Sequence, residues 1–243
     1  MNTQGLPPVR CRRHGSPALR WLLAGVTTLL FSGAASAQSL MLNGEASLAS
    51  DLTERGVSYW PLQAAAQGLL ALSDGAHWSA TLTLSAPVEH VHDYQAVARF
   101  GAYWNANENW QLRARLGAYA YPGGGYYRFY NRTELGLGAS YRDMWSLDLS
   151  AAQLDEGDSH LYPAIDLGLH WPLTEQWSLA AGLGRTEMFW WPGIWYTYAD
   201  AGVVWQSGPW RAALRYLHAS ESAQFYMQRV AEPHTTFSVS WLF

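Results

Sequence analysis

The sequence contains no lysine, only one cysteine, and few charged residues of either sign. All fifteen basic residues are arginines, and charged residues make up 14% of the 243 positions, against about a quarter in soluble domains. A net charge of −4 excludes the basic surface typical of nucleic-acid-binding proteins. Because Cys11 lies in a segment that we expect to be removed, the mature chain should have no disulfide, no thiolate nucleophile and no cysteine-bound metal.

The first 37 residues have the pattern of a secretory signal peptide. Four arginines and no acid precede an apolar run over 21–32, and Ala35 and Ala37 form a small-x-small cleavage site before Gln38. This order of basic, apolar and small residues is typical of exported proteins. A run of about 12 residues is too short to span a bilayer, which takes about 20. We therefore predict a signal peptide over 1–37 and a mature domain over 38–243 with a net charge of −8.

The mature region has no apolar run near 18 residues, but apolar and polar residues alternate along most of it. At the C-terminus, for example, Phe237, Val239 and Trp241 alternate with Ser238 and Ser240. A period of two residues indicates β-strands. Most of the predicted strands have about ten residues, the length that a tilted strand needs to cross a membrane. The twelve predicted strands are 40–50, 62–72, 77–86, 94–104, 110–121, 129–141, 145–154, 162–171, 177–186, 195–205, 210–219 and 235–243.

Strand connections and tryptophans favour an all-β, transmembrane, antiparallel β-barrel of the outer membrane. Short and long connections alternate strictly, as they do in barrels with both termini in the periplasm. An indole prefers the boundary between membrane and water. Eight of the 14 tryptophans flank the short turns and predict a periplasmic girdle: Trp78, Trp104, Trp110, Trp145, Trp171, Trp177, Trp205 and Trp210. A second aromatic group is predicted at the outer boundary: Trp60, Tyr119, Tyr121, Phe129, Trp190, Trp191, Trp195 and Tyr196.

A secreted β-sandwich is the alternative architecture, because its strands also alternate. Its apolar faces should be rich in valine and isoleucine, which are sparse here. The terminal Phe243, with Trp241, Val239 and Phe237, instead resembles the C-terminal signal that the barrel-assembly machinery of Gram-negative bacteria reads.

Two segments resemble motifs of the TorF-type family of porin-like proteobacterial outer-membrane proteins. Residues 50–58 (SDLTERGVS) are similar to the family's Ser-Asp-aromatic-x-x-Arg-Gly-aliphatic-Ser, with Leu52 in place of the aromatic residue. Residues 119–123 (YAYPG), followed by Asn131 and Glu134, are similar to its Tyr-Pro-Gly loop and Asn-x-x-Glu strand. The resemblance implies a porin-like outer-membrane protein and does not imply a particular substrate.

Strand parity predicts which charged residues point into the barrel. Counting from the tryptophan girdle at about 2.5 Å per residue places several of them near the middle of an apolar band about 25 Å tall. Twelve strands give a backbone radius of about 12 Å, and inward glycines such as Gly136 and Gly138 should leave space. The predicted constriction consists of Glu45, Arg99, Arg113, Arg115, Arg132, Glu134, Asp148, Asp166, Asp200 and Arg215.

These charges allow two interpretations. They could line a wet constriction for small polar solutes, in which a basic arc beside an acidic arc orients dipolar molecules. Alternatively, they could form a salt-bridge network that fills a structural barrel. Arg99→Ala combined with Arg115→Ala is expected to change ion selectivity only in the first case.

Residue patterns for catalysis or metal binding are weak. Asp158, Ser159 and His160 are contiguous in a loop, whereas a catalytic triad needs groups that converge in space. His90 and His92 with a nearby acid have a possible metal spacing, but we predict no metal and no cofactor. The acidic residues of the long loops, among them Asp51 and Glu54, are expected to form a solvated face that could share divalent cations with lipopolysaccharide.

Three hypotheses follow for the function. The first is a porin-like channel for passive diffusion of small polar solutes across the outer membrane. The second is a lipid-modifying outer-membrane hydrolase, and the third is a structural barrel without flux. Predicted partners are outer-membrane lipid and lipopolysaccharide, the barrel-assembly machinery and the solutes themselves, and not nucleic acid.

Overall fold

A computed structural model describes residues 40–61, 63–122, 129–156, 159–189 and 191–243. The predicted signal peptide, Trp190, Asp158 and Gly123 lie outside the described residues. Over the described ranges, no helix has the length and hydropathy required to cross a bilayer.

Fourteen strands and one short α-helix are present in the described residues. The strands are β1 Met41–Ala49, β2 Thr53–Glu54, β3 Val57–Ser58, β4 Ala65–Ser73, β5 Trp78–Pro87, β6 Gln95–Asn105, β7 Trp110–Ala120, β8 Arg132–Tyr141, β9 Trp145–Leu154, β10 Leu161–Pro172, β11 Trp177–Glu187, β12 Trp195–Ser207, β13 Trp210–Ala219 and β14 His234–Leu242. Helix α1 covers Glu221–Met227, and a 3₁₀-helix follows over Gln228–Ala231.

Twelve of these strands close into one antiparallel barrel, and β2 and β3 form a separate hairpin. The barrel closes where β1 pairs with β14, with Glu45 opposite Leu242. The terminal Phe243 completes this seam, because its backbone exchanges two hydrogen bonds with Gly44, at 2.7 and 2.9 Å. Closure leaves no unpaired strand edge, which is the condition for crossing a membrane with strands. The barrel is confirmed, and the sandwich is excluded.

The predicted strands agree with the barrel strands to within three residues at every end. The largest differences are three residues, at β4, which begins at Ala65 and not at 62, and at β8, which begins at Arg132 and not at 129. At β8 the side chain of Asn131 explains the later start, because its Oδ1 accepts the backbone N–H of Tyr121 at 2.7 Å. This contact replaces the ladder bond that a longer strand would make.

Connections between the barrel strands alternate between short turns and longer segments, so the barrel has a short-turn end and a long-loop end. Tryptophans lie at the short-turn end, and those at positions 104, 145 and 210 are exposed. Large apolar side chains such as Leu135 and Leu137 are likewise exposed on the outer face. An exposed apolar outer surface flanked by indoles is typical of strands that face lipid.

The second predicted aromatic group is placed differently from our expectation. Trp60, Tyr119, Tyr121 and Tyr196 are buried inside the barrel and not at an outer boundary. Parity explains the error for Tyr119, which shares its face of β7 with the inward residues Arg113 and Arg115. These aromatic side chains instead fill the long-loop half of the interior.

Candidate functional site

The β2–β3 hairpin, which follows β1, folds into the barrel at the long-loop end. Its strands pair Thr53 with Ser58 and Glu54 with Val57, which leaves Arg55 and Gly56 as a two-residue turn. Both turn residues have positive φ, 52° and 73°, as a type I′ turn requires. This tight turn presents the Arg55 side chain to the barrel wall.

Arg55 connects the hairpin to three strands of the barrel. Its Nη2 lies 2.9 Å from Glu134 Oε1 and 2.9 Å from Ser150 Oγ, and 3.7 Å from Asp166 Oδ2. The guanidinium and Glu134 are both almost fully shielded from solvent. Buried charges are tolerated when they are paired in this way, so Arg55 holds the hairpin in the lumen.

A second ion pair holds Glu54, the hairpin residue directly before Arg55. Glu54 accepts hydrogen bonds from Arg132 Nη2 at 2.7 and 2.9 Å and from the Tyr59 hydroxyl. Burial would raise the pKa of Glu54, but Arg132 and Arg55 outweigh it and lower the pKa to about 2. The Arg132 guanidinium also stacks 3.6 Å from the ring centroid of Tyr119, a favourable cation–π geometry.

The first residues of the same loop are also tied down. Asp51 accepts a hydrogen bond from Ser58 Oγ at 2.6 Å and lies 3.0 Å from His234 Nε2. Burial raises the pKa of Asp51, and these two partners oppose that shift. The expectation of a solvated acidic face is therefore wrong for Asp51 and Glu54, because both carboxylates have partners inside the fold.

Arg113 and Arg115 project from β7 towards an aspartate two strands away. Arg113 forms a two-point contact with Asp148, and Arg115 Nη1 lies 3.4 Å from the same carboxylate. Arg115 is also 3.9 Å from Glu134, which links this cluster to the hairpin. Asp148 lies directly opposite Asp166 across β9 and β10, so the arginines offset a repulsive pair of carboxylates.

Two further ion pairs lie on the other side of the barrel. Arg215 Nη2 is 2.7 Å from Asp200 Oδ1, and Arg211 Nη1 is 3.7 Å from Glu45 Oε2. The side chains of Arg215 and Arg211 are 42% and 39% exposed although they point into the barrel. The interior next to them is therefore accessible to water.

Arg99 differs from the other inward arginines. Its Nη2 donates to the Tyr119 hydroxyl at 3.1 Å, and its guanidinium lies 5.2 Å from the ring centroid of Tyr119. Among the described residues it has no carboxylate within 4 Å, and it is exposed. It therefore places a positive charge without a carboxylate in direct contact on the exposed part of the wall.

Inward glycines accommodate the charged side chains. The opposed pairs are Glu134 with Gly117, Arg115 with Gly136, Asp148 with Gly138, Asp200 with Gly182 and Arg215 with Gly202. A Cβ on Gly138 would lie 2.4 Å from Asp148 Oδ1 and 2.7 Å from Arg113 Nε. The space that we expected these glycines to leave in the lumen is thus taken by neighbouring side chains that lie along the wall.

The ten residues predicted for the constriction therefore fall into separate groups. Arg113, Arg115, Arg132, Glu134, Asp148 and Asp166 belong to the network around the hairpin, Asp200 pairs with Arg215, Glu45 pairs with Arg211, and Arg99 contacts Tyr119. Strand parity cannot identify Arg55 and Glu54, because they lie in a loop. Gly56 is a sequence signal for a tight turn, but it does not give the direction of that turn.

A cavity of about 760 Å³ opens at the short-turn end. Polar and charged side chains line it, including His170, Gln206, Arg211 and Arg215. The hairpin lies towards the opposite end, where Arg55 contacts β8, β9 and β10.

The histidines considered for catalysis or metal binding contact other side chains. His160 Nε2 lies 2.9 Å from Glu187, and His90 Nδ1 lies 3.3 Å from Gln63. Within the described ranges, no group of three or more His, Cys, Asp or Glu side chains could hold a metal ion.

No protein-family model matches the chain, and no curated protein matches it either. Several solved structures are similar in fold. A KdgM porin superposes with a TM-score of 0.53 at 7% identity, covering 83% of this chain and 98% of the porin. A KdgM porin in complex with disordered oligogalacturonate gives the same TM-score and identity, covering 84% of this chain and 99% of the porin.

The NanC porin is similar to the same extent, with a TM-score of 0.52 at 8% identity over 83% of this chain and 98% of the porin. Identities this low establish a shared fold and no family. The chain is thus a closed twelve-strand antiparallel barrel of the outer-membrane type, similar in architecture to the KdgM and NanC porins.

Proposed function

We propose that this protein is an outer-membrane channel for passive diffusion of small polar solutes. In this proposal the long loops face outward and both termini face the periplasm. The route passes Arg99, Arg115, Asp200 and Arg215, and the β2–β3 hairpin narrows it at the long-loop end.

The observation that carries the proposal is solvent exposure inside the barrel wall. Arg99 points inward and is nevertheless exposed, and the inward side chains of Arg211 and Arg215 are partly exposed, at 39% and 42%. A barrel packed as a solid core would bury these charges, and a buried charge without a partner is costly. Mixed charges along a wet wall are a known means of selecting polar solutes.

The shared architecture of the KdgM and NanC porins supports the same class of function. Family membership in the TorF-type group is part of the proposal. In its support, the two segments that resemble that family contact each other through Arg55 and Glu134. Tyr59, which directly follows the first segment, packs near Tyr121 of the second, with ring centroids 5.8 Å apart.

A structural barrel without flux is the second candidate, and the inserted hairpin favours it. Arg55 and Glu54 are each held by a buried ion pair, so the long-loop end could remain closed. In that case the charge network would serve stability alone.

Liposome swelling separates these candidates. Purified protein is reconstituted and challenged with isotonic sugars, amino acids and nucleosides. A channel gives swelling rates that fall as solute size rises, whereas rates equal to those of protein-free liposomes for every solute would exclude the proposed function.

We also propose that the C-terminal residues Phe237, Val239, Trp241 and Phe243 are recognised by the barrel-assembly machinery. Phe237, Trp241 and Phe243 are exposed on the outside of the barrel. Deleting Phe243 should lower the amount of folded protein in outer-membrane fractions, while refolding in detergent is retained. Unchanged outer-membrane levels would contradict this role.

A further inference from the structure

Two basic side chains lie on the outer, lipid-facing side of the barrel wall. Arg185 on β11 and His218 on β13 are both exposed. They share the outward face of their strands with Leu183 and Tyr216, which are 54% and 53% exposed. A basic residue on a lipid-facing surface is unfavourable, and the cost rises with its depth in the bilayer. The level of these two residues in the membrane therefore decides what they can contact.

That level follows from the tryptophan girdle at the short-turn end. Arg185 is eight residues from Trp177, and His218 is eight residues from Trp210. At about 2.5 Å per residue, this places them about 20 Å up an apolar band about 25 Å tall. Because an arginine side chain extends its charged end along apolar surface, Arg185 can reach the lipid head groups at the long-loop end.

The outward basic residues are confined to one part of the barrel. At the same count from the girdle, Arg185, Thr197 and His218 occupy β11, β12 and β13. Arg185 is directly opposite Thr197, and His218 is opposite Ala199, so the three polar side chains form one patch on neighbouring strands. The positions at this count on β5, β6, β7, β9 and β10 carry no charge and are Ala86, Ala96, Ala118, Gln153 and Pro163.

Arg185 has an aromatic contact but no carboxylate partner. Its guanidinium lies 5.2 Å from the ring centroid of Trp195, a cation–π contact that does not use the N–H donors. Within the described part of the chain, it forms no ion pair with a carboxylate. Glu187, the nearest acid in sequence, is buried and contacts His160, and Glu221 lies beyond β13 as the first residue of α1. The donors of Arg185 are therefore free for an anion on the lipid side.

The anions that a lipid-facing side chain meets at this level are the phosphates of lipid head groups. A guanidinium matches phosphate oxygens in geometry and charge, and hydroxyl and imidazole groups donate further hydrogen bonds. The exposed Leu183 and Tyr216 lie on the bilayer side of the patch, where acyl chains of the same lipid would pack. With the long loops facing outward, this leaflet is the outer one, and its phosphorylated lipid is lipopolysaccharide.

We propose that Arg185, Thr197 and His218 form a binding site for a phosphate of lipopolysaccharide on the outer wall of the barrel. The proposal rests on the orientation given with the proposed function, but it does not depend on transport through the lumen. Lipid binding is measured without solute flux, so the site and the channel can fail separately.

Native mass spectrometry of the detergent-solubilised protein tests the site. The probes are bisphosphoryl lipid A, which is the phosphorylated anchor of lipopolysaccharide, and phosphatidylglycerol. Lipid A should bind more tightly than phosphatidylglycerol, and Arg185→Gln should weaken lipid A binding at least tenfold. Equal affinity for the two lipids would assign the site to phospholipid and overturn the proposal, as would the absence of lipid A binding.

Arg142→Gln is the matched control. Arg142 is also exposed, and its guanidinium lies 5.3 Å from the ring centroid of Tyr141, but it belongs to a short turn at the opposite end. Its replacement should leave lipid A affinity unchanged, and an equal loss in both variants would indicate non-specific attraction and refute the site.

His218→Gln provides a second variant at the other edge of the patch. It should weaken lipid A binding at least threefold, because it removes an imidazole and keeps a polar side chain of similar length. Unchanged lipid A affinity in folded Arg185→Gln and His218→Gln proteins would exclude this patch as the site, whatever the swelling assay shows.

Discussion

Replacing Arg55 by methionine should release the β2–β3 hairpin from the lumen. The substitution keeps a long side chain but removes the contacts with Glu134, Ser150 and Asp166. Breaking a buried ion pair costs about 3–5 kcal/mol. Glu134 keeps Arg115 and Arg132 at 3.9 Å, so we expect a cost near 3 kcal/mol, at the lower end of that range.

A cost of about 3 kcal/mol corresponds to a factor of about 100 in the ratio of displaced to inserted hairpin, at about 1.4 kcal/mol per tenfold change. Single-channel recording in planar bilayers measures this ratio as the time spent in the larger conductance level. Arg142→Met is the matched control, because Arg142 is exposed in a short turn and contacts Asn109.

Equal distributions of conductance levels for Arg55→Met and Arg142→Met would refute the role of Arg55 in holding the hairpin. A double-mutant comparison of Arg55 with its partner Glu134 provides a second measurement. Glu134→Gln should change the distribution in the wild-type background and add little in the Arg55→Met background, since the two residues then act through the same contact.

Three further changes probe other parts of the interior. Arg99→Ala combined with Arg115→Ala removes two positive charges from the wet wall, and reversal potentials in a salt gradient should shift towards cation selectivity. Gly138→Ala should lower the thermal unfolding midpoint by an amount equivalent to about 1–3 kcal/mol, because the added Cβ would collide with an aspartate oxygen 2.4 Å away. Heat-modified electrophoresis measures this midpoint. Gly68→Ala is the control and should have little effect, because nothing lies within 4 Å of its added Cβ. Glu54 stabilises the inserted hairpin in its ionised form, and the fold lowers its pKa from 4.5 to about 2. This stabilisation is therefore complete above about pH 4.5 and is lost as the pH falls towards 2. Conductance recorded between pH 6 and 2 should show longer openings to the large conductance level at low pH.

Each of these predictions has an opposing result. Unchanged reversal potentials would mean that the wall arginines do not face the ion path. Equal midpoints for the two glycine variants would mean that the wall side chains can move aside freely. If Glu54→Gln had the same pH profile as the wild type, titration of another group would be responsible for the opening.

The alternation of apolar and polar residues predicts the barrel wall. Residues in each spanning strand meet lipid on one face and the interior on the other, so the period of two marks both the strand and the direction of each side chain. Arg113 and Arg115 could therefore be placed inside from their spacing alone. Tyr119 obeys the same parity, so its position in β7 predicts an inward side chain, whereas its aromatic character alone predicts the membrane boundary.

Contacts between the charged residues could not be predicted in the same way. Arg55 and Glu134 are 79 positions apart, and Arg113 and Asp148 are 35 apart with a complete strand between them. Which arginine meets which carboxylate depends on strand register and tilt, and these are set by closure of the whole barrel.

The sequence by itself determined the number of barrel strands, their limits to within three residues and the charged side chains of those strands that face the interior, because the hydrophobic effect acts residue by residue along a strand. Only the tertiary structure decided that the first loop turns inward and that Arg55 and Glu54 join the network. A loop carries no such periodic constraint. Its direction follows from the free energy of pairing its charges with partners that are close only after the barrel has closed.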